Sequence, residues 1–491
     1  MIQSPAVRPH LVLAACCLSL FLVMMDVTIV NVALPAIRAA LGGGLSTLQW
    51  VVDAYTLVVA TLLVLAGSTA DRIGRRLVFV SGIVVFCLGS VLCGLAPGAG
   101  ALVLARGFQG LGGAMLNPVA LSIIANVFVE PGARARAIGV WGAMSGLALA
   151  LGPLVGGILT TLVGWRAVFW VNLPVGALAL VLSLRFIPES RAVHVRPIDR
   201  AGQALVALVL AAATATLIEA RDYGWQAPAI RAGLAVAAVG LAVLYRVERR
   251  SAHPLLDLRF FRALPFSGAI VIAVCAFAIF SSFLFLNTLY LQEARGLSAM
   301  QAGLYTLPFA LGVVVCAPLS GRLVGARGAR LPLLLSAGGL GGGALMLTGL
   351  APGTAPWVLL LSYSLCGCGF GLCNAPITNS AVSGMPRDQA GLAAALASTS
   401  RQVGALLGVA VSGTMMGAVL TREAGGGAAL AQATHRIWWL LVGLSCAVGM
   451  LGFLSTGARA RASARVARAL FDDAPVNDAP VNAPVKVPGA G

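Results

Sequence analysis

Charge is what this 491-residue chain has least of: only 10% of its residues are Asp, Glu, Lys or Arg, and its single lysine is Lys486. A soluble domain carries about a quarter charged residues, so a soluble enzyme or binding module is excluded. Histidine is nearly as scarce. His10, His194, His253 and His435 fall outside the apolar runs or at their ends, which argues against a membrane-embedded enzyme, since that needs acids or histidines clustered at one depth. No P-loop lysine pattern is present, so nucleotide-driven work is not expected. Strand-like alternation is missing, which disfavours a β-barrel. The ten cysteines, among them Cys16, Cys17, Cys87, Cys93, Cys366, Cys368 and Cys373, sit within apolar runs and read as small apolar fillers. Cys366-Gly-Cys368 has neither metal-site spacing nor acidic or histidine company, so no metal, disulfide or other cofactor is expected.

Apolar sequence fills the remainder. With 59% hydrophobic residues and a mean hydropathy of +0.95, the solvent is hydrocarbon, where each backbone amide must be satisfied inside its own segment. Runs of about 20 apolar residues are therefore helices. They fall near 11–33, 48–68, 77–96, 101–126, 136–161, 167–187, 201–220, 228–246, 264–290, 301–321, 331–350, 356–380, 392–420 and 437–456. The first is too long for a cleavable signal and carries Asp26 in its interior. The expected fold class is an all-α membrane protein with fourteen spans.

The formal net charge of +17 is mostly a topology signal. Most arginines fall on the side bearing the N-terminus: Arg72, Arg75, Arg76, Arg134, Arg136, Arg191, Arg196, Arg200, Arg246, Arg249, Arg250, Arg459, Arg461, Arg465 and Arg468. That bias places both termini in the cytoplasm, in a multi-pass protein of the plasma membrane. Spread over many loops without aromatic interleaving, these arginines suit anionic lipid head groups and not nucleic acid.

An internal repeat organises the chain. Gly67, Asp71, Gly74 and Arg76 are answered at equal spacing by Gly321, Gly325, Gly328 and Arg330, each set following the second span of its half. A second echo relates Ala148, Gly152, Gly156 and Gly157 to Gly404, Gly408, Ser412 and Gly413, small residues that let helix backbones approach closely. The expected domains are a six-helix bundle over 1–187, two inserted helices with flanking loops over 188–262, a second six-helix bundle over 263–458 and a tail over 459–491. From 471 onward the repeated Asp-Ala-Pro-Val-Asn is low in complexity and expected to be disordered.

These residues resemble the major facilitator superfamily, and within it the fourteen-helix drug:proton antiporters, over nearly the whole chain to about residue 460. Met25-Asp26-Val-Thr28-Ile-Val-Asn31-Val-Ala33-Leu34-Pro35 looks like the family's first-helix motif, and Gly67 to Arg76 like its loop between helices two and three. Leu104-Ala-Arg106-Gly107-Phe-Gln109-Gly110-Leu-Gly112-Gly113 is similar to the fourth-helix motif. Gly152-Pro153-Leu-Val-Gly156-Gly157 is similar to the helix-packing antiporter motif of helix five, and Trp165 to Pro174 is typical of the fourteen-helix branch. The resemblance implies the major facilitator fold: two six-helix bundles plus two extra transmembrane helices.

Asp26, midway along the first span, costs about 2.5–3.5 kcal/mol on insertion scales, so it is read as partnered or protonated and functional. It is the expected proton-coupling and substrate-binding acid, the alternative being a fixed clamp between helices. Arg106 is expected to modulate that acid or to clamp backbone carbonyls, with Gln109 in the same polar network. For Asp53 two readings stay open: a proton or cation acceptor near the exit, or a solvated rim acid shallow enough to be wetted. The resemblance makes Gly67, Asp71, Arg72, Gly74, Arg75 and Arg76 a conformational latch, in which Asp71 meets a helix N-terminus of the other bundle, worth about 0.3–1 kcal/mol. The second half has almost no intramembrane acid, Glu293 lying at a helix end and Asp388 in a loop. Its polar cavity candidates are Asn287, Tyr290, Tyr305, Asn374, Asn379, Arg401 and Gln402, with Asn31 from the first half. Trp141, Phe277, Phe280, Phe283, Phe285 and Tyr363 are candidate pocket walls, with core packing as the alternative.

The resulting expectation is a monomeric, proton-coupled exporter of hydrophobic, cationic or otherwise toxic compounds, surrounded by membrane lipids, with a periplasmic adaptor left open. Lipophilic monocations, neutral amphiphiles and weak acids all remain candidate cargo. The rivals are an exporter of one endogenous metabolite, a membrane-embedded enzyme and a channel.

Overall fold

The computed structural model describes residues 8–192, 199–251, 257–383, 385, 390–420 and 427–472. His194, Arg196, His253, Asp388, Lys486 and the repeated tail from 473 lie outside the described residues. Among the described residues, fourteen helices are long and apolar enough to cross a membrane. They are α1 (Pro9–Leu41), α2 (Leu45–Ile73), α3 (Arg75–Gly94), α4 (Ala99–Val127), α5 (Pro131–Leu162), α6 (Ala167–Phe186), α7 (Arg200–Tyr223), α8 (Pro228–Arg250), α9 (Leu264–Ala294), α10 (Ala299–Arg327), α11 (Arg330–Leu347), α12 (Pro356–Val382), α13 (Ala390–Leu420) and α14 (Gly427–Leu454). A short basic helix, α15 (Ala458–Asp472), follows. Among the described residues there are no strands.

The repeat is visible in the backbone. Gly74 ends α2 at φ +131° and Gly328 ends α10 at φ +76°, two left-handed stops that only glycine takes without strain. Polar caps start other helices: Glu130 accepts from the amides of Gly132 and Ala133 at α5, and Ser298 with Gln301 forms a reciprocal capping box at α10.

The glycine echoes explain which helices touch. A Cβ on Gly152 or Gly156 of α5 would collide with Thr28 and Ile29 of α1; one on Gly404 or Gly408 of α13 would collide with Val274 and Ala278 of α9. So α5 lies on α1 as α13 lies on α9. The next glycine along each helix faces the opposite half: Gly157 abuts Ala299 and Met300 of α10, and Gly413 abuts Gln49 of α2. The two bundles thus meet along α5–α10 and α2–α13.

Most of the ties across that seam lie away from the end that carries Pro9. Arg38 pairs with Glu293 at 3.1 Å, Gln292 donates to the Val32 carbonyl at 2.8 Å, and Gln49 donates to the Ala410 carbonyl at 2.9 Å. Nearer the other end α2 and α13 leave a crevice of about 150 Å³ lined by Thr61, Val64, Leu396, Thr399 and Ser400. The inserted α7 lies over it. At its far end α7 holds both bundles: Glu219 accepts from Trp50 Nε1 at 2.6 Å, Asp222 accepts from Ser46 at 2.6 Å, and the Leu217 carbonyl accepts from Thr414 at 2.5 Å.

Candidate functional site

The first-half motifs converge on one carboxylate. Asp26 of α1 is fully buried, and its Oδ2 accepts from Arg106 Nη1 of α4 at 2.5 Å. Its Oδ1 accepts from Gln109 Nε2 of α4 and from Asn172 Nδ2 of α6, each at 2.8 Å. Both amides also donate to Ser90 Oγ of α3, at 2.9 and 3.2 Å. Arg106 is itself 1% exposed; it donates to Gln109 Oε1 at 2.6 Å and, through Nε, to the Val51 carbonyl of α2 at 3.0 Å. Its guanidinium lies 4.5 Å from the Tyr55 ring centroid. Five of the six helices of this half therefore join one polar network around the charge pair, and the carboxylate has three donors within bonding distance.

Sequence reasoning named Asp26, Arg106 and Gln109 but missed Ser90, Asn172 and Tyr55 as members. Asn172 had a signal, an amide inside an apolar span; Ser90 had none, because serines are common in such helices. Asp26 is closed off from solvent in this conformation and presents no free charge to cargo.

Asp53 corrects one of the two readings left open for it. It is 0% exposed, and neither carboxylate oxygen has a partner among the described residues. Depth along α2 suggested wetting, but α2 is covered there by the helices packed on it, which removes the solvent. Asn31 is 3% exposed and bonds back to the Val27 carbonyl at 2.7 Å.

The latch residues engage their own bundle. Asp71 accepts from Arg75 Nε and Nη2 at 3.0 and 2.9 Å, and its carbonyl accepts from the Ala192 amide at 3.0 Å. Arg76 donates to the Leu184 carbonyl, and the Glu189 carboxylate accepts from the Arg76 and Leu77 amides at 3.1 and 3.3 Å. Among the described residues Asp71 meets no helix N-terminus of the other half: α2 and α3 are clamped instead to the segment after α6. Gly67 faces Pro118 of α4, and Arg72 is exposed beside the turn.

The second half is built around aromatic rings. Phe280 stacks on Phe370 at 4.3 Å and Phe283 on Phe309 at 4.7 Å, while Phe277 and Tyr363 meet this stack edge-on at 5.1 Å. Asn287 and Tyr290 are 2% and 1% exposed; the Tyr363 hydroxyl donates to Asn287, and Tyr290 donates to the Ala351 carbonyl at 2.7 Å. These two lie inside the bundle and not on an open wall. Tyr305 is half-buried with the Arg295 guanidinium 5.8 Å from its ring. Asn374 and Arg401 are half-buried and adjacent, the Asn374 carbonyl being 3.5 Å from Arg401 Nη2.

Two pseudosymmetric helical bundles with a sequestered ion pair at the heart of one define a multi-pass membrane transporter. The chain belongs to the Major Facilitator Superfamily, whose family model matches residues 16–409. It is similar to the multidrug resistance protein Stp of Mycobacterium tuberculosis (strain CDC 1551 / Oshkosh), with 39% identity over 411 residues, covering 84% of this chain and 76% of that one. It is similar also to the tetracenomycin C resistance and export protein of Streptomyces glaucescens, with 35% identity over 415 residues, 83% of this chain and 76% of the relative. Among solved structures, a POT family transporter in complex with a thioalcohol-conjugated peptide superposes with a TM-score of 0.68 at 15% identity, covering 91% of this chain and 96% of that one. That likeness concerns the fold alone.

Proposed function

We propose that this chain exports hydrophobic, toxic organic compounds across the bacterial plasma membrane in exchange for protons, with both termini in the cytoplasm. The observation that carries the reading is the Asp26–Arg106 pair, buried and shared among helices that must move together. Relatives named for multidrug resistance and for antibiotic export support the direction and the class of cargo.

The coupling follows from the contacts. Adding a proton to Asp26 removes its attraction for Arg106 and leaves the guanidinium held by Gln109 and the Val51 carbonyl. The turn of α1 that carries Asp26 is the turn on which Gly152 and Gly156 of α5 lie, and Gly157 of α5 abuts α10 of the other half. Loosening α1 against α4 thereby reaches the inter-bundle seam through backbones in direct contact. Each proton moving inward across 100 mV supplies about 2.3 kcal/mol, enough to reverse a balance between two closely matched conformations.

The test is transport into everted vesicles or proteoliposomes with imposed gradients. Cargo is expected to accumulate against its gradient and to stop doing so when ionophores collapse both voltage and pH difference; unchanged accumulation would overturn the reading. A second reading, export of one endogenous product, draws support from relatives named as a tetracenomycin C export protein and a probable actinorhodin transporter. A broad dye panel separates the two, since a dedicated exporter leaves most dyes untouched.

A further inference from the structure

The second half holds a guanidinium that the described residues do not satisfy. Arg401 of α13 forms no ion pair among the described residues: Nη2 donates to Thr378 Oγ1 at 2.5 Å, its other two contacts are stretched to 3.4 Å (Ser398 Oγ) and 3.5 Å (Asn374 carbonyl), and buried Nε has no partner. Arg106, by contrast, meets a carboxylate at 2.5 Å. The carboxylates on helices packed against α13 are engaged elsewhere or closed off. Glu219 holds Trp50, Asp222 holds Ser46, Asp71 holds Arg75, Glu293 holds Arg38, and Asp53 reaches no partner. Asp388 lies outside the described residues.

Beside this charge is the edge of an aromatic stack. The guanidinium is 5.9 Å from the Phe277 ring, which leans on Phe370 at 5.1 Å, itself stacked on Phe280. Arg401 and Phe277 are the half-buried edge of an otherwise buried stack. An unpaired cation in low dielectric is costly, and a ligand anion removes that cost while gaining a forked, charge-assisted contact.

We propose that Arg401, with Thr378 and the half-buried Phe277 ring, forms a subsite for amphiphiles that join a planar apolar body to an anionic group such as a carboxylate. The proposal rests on the export reading and names its cargo class. The ion pair in the first half leaves that half neutral at Asp26, whereas Arg401 in the second half meets no carboxylate among the described residues.

The test uses three probes of one shape: pyrene-1-carboxylate, 1-pyrenemethanol and 1-pyrenemethylammonium, bound to purified full-length protein in phosphatidylcholine nanodiscs. The wild type is expected to hold the carboxylate roughly tenfold tighter than the alcohol. Arg401→Gln is expected to abolish that preference while holding the alcohol within about twofold, and Arg401→Lys, which keeps the charge but not the fork, to retain part of it. An unchanged preference in Arg401→Gln, or equal loss of all three probes with Arg401→Lys no better, overturns the subsite. Transport in proteoliposomes separates the two readings. Gradient-driven movement with selectivity indifferent to Arg401 overturns the subsite and leaves export standing; binding selectivity that follows Arg401 without gradient-driven movement supports the subsite and overturns export.

Discussion

Replacing Asp26 by Asn is expected to damage the protein in a way that a second replacement partly repairs. Asp26 accepts from Arg106 at 2.5 Å on one oxygen and from Gln109 and Asn172 at 2.8 Å on the other. An Asn amide has one oxygen and two N–H donors, so whichever way it turns, a donor faces a donor. Either way the buried guanidinium loses its counter-charge; with the nitrogen toward Arg106 it loses its acceptor as well, and with the nitrogen the other way the amides of Gln109 and Asn172 lose theirs. Breaking a buried pair from one side costs about 3–5 kcal/mol. Arg106→Gln strands the carboxylate instead and carries a similar cost. The double variant, Asp26→Asn with Arg106→Gln, holds no unpaired charge, so its loss is expected to fall short of the sum of the singles by about 2–3 kcal/mol. Stability is read from denaturant or thermal unfolding in one detergent, and function from proton-driven transport in liposomes. Both Asp26 variants are expected to lose coupled transport, the double variant despite its recovered stability. Additive losses, within about 0.5 kcal/mol, would refute the claim that these residues form one electrostatic unit. Coupled transport by the Asn variant would remove Asp26 from the proton path.

Gly303→Leu places a side chain where a Cβ would already be 2.4 Å from the Pro153 carbonyl; closure of the α5–α10 seam should fail, transport should fall roughly tenfold, and label access through the end away from Pro9 should rise. Glu293→Gln removes the half-exposed tie to Arg38, a change of up to about 1 kcal/mol in the open–closed balance. Distances between spin labels at the ends of α1 and α9 would report it, and the charge swap Arg38→Glu/Glu293→Arg should restore the wild-type distribution. Gly74→Ala meets both a φ of +131° and a Glu189 oxygen at 2.6 Å from the new Cβ; a loss of about 1–3 kcal/mol is expected in unfolding measurements, with Gly325→Ala close to neutral because open space surrounds it.

What could be read in advance divides along a physical line. A span in hydrocarbon is a local property, because its amides are satisfied within it, so fourteen runs could be located one at a time. Their ends were less legible. The last span was expected from 437 but α14 begins at Gly427, since the polar turn with His435 is held by the Leu350 carbonyl at 2.6 Å and the helix continues past the apolar run. The site followed the same division. Asp26 and Arg106 stood out as charges where charge is costly, and the cost itself predicts a partner. Which amides would complete the shell depended on residues 83 and 146 positions away in sequence, and no local signal at Ser90 marks it. Asp53 shows the opposite failure: its depth along α2 was legible, but its wetting was decided by helices from other parts of the chain.

The two halves share their glycine geometry and differ in their charges, and that difference bears on mechanism. In α5 and α13 the same spacing lays one helix on the first helix of its bundle and turns the next glycine toward the other bundle, so these contacts are symmetric. The electrostatics are not: one half encloses a matched pair, while the other leaves Arg401 beside aromatic rings. A matched pair responds to a proton, which adds charge without adding bulk. An unmatched cation responds to a bulky anion. Under the proposed export mechanism, placing the two in opposite halves would let proton and cargo act on the same motion without competing for one group, so an Arg401 variant should change which molecules move while leaving the proton requirement of a neutral cargo intact. Loss of proton dependence for 1-pyrenemethanol in Arg401→Gln would contradict that division.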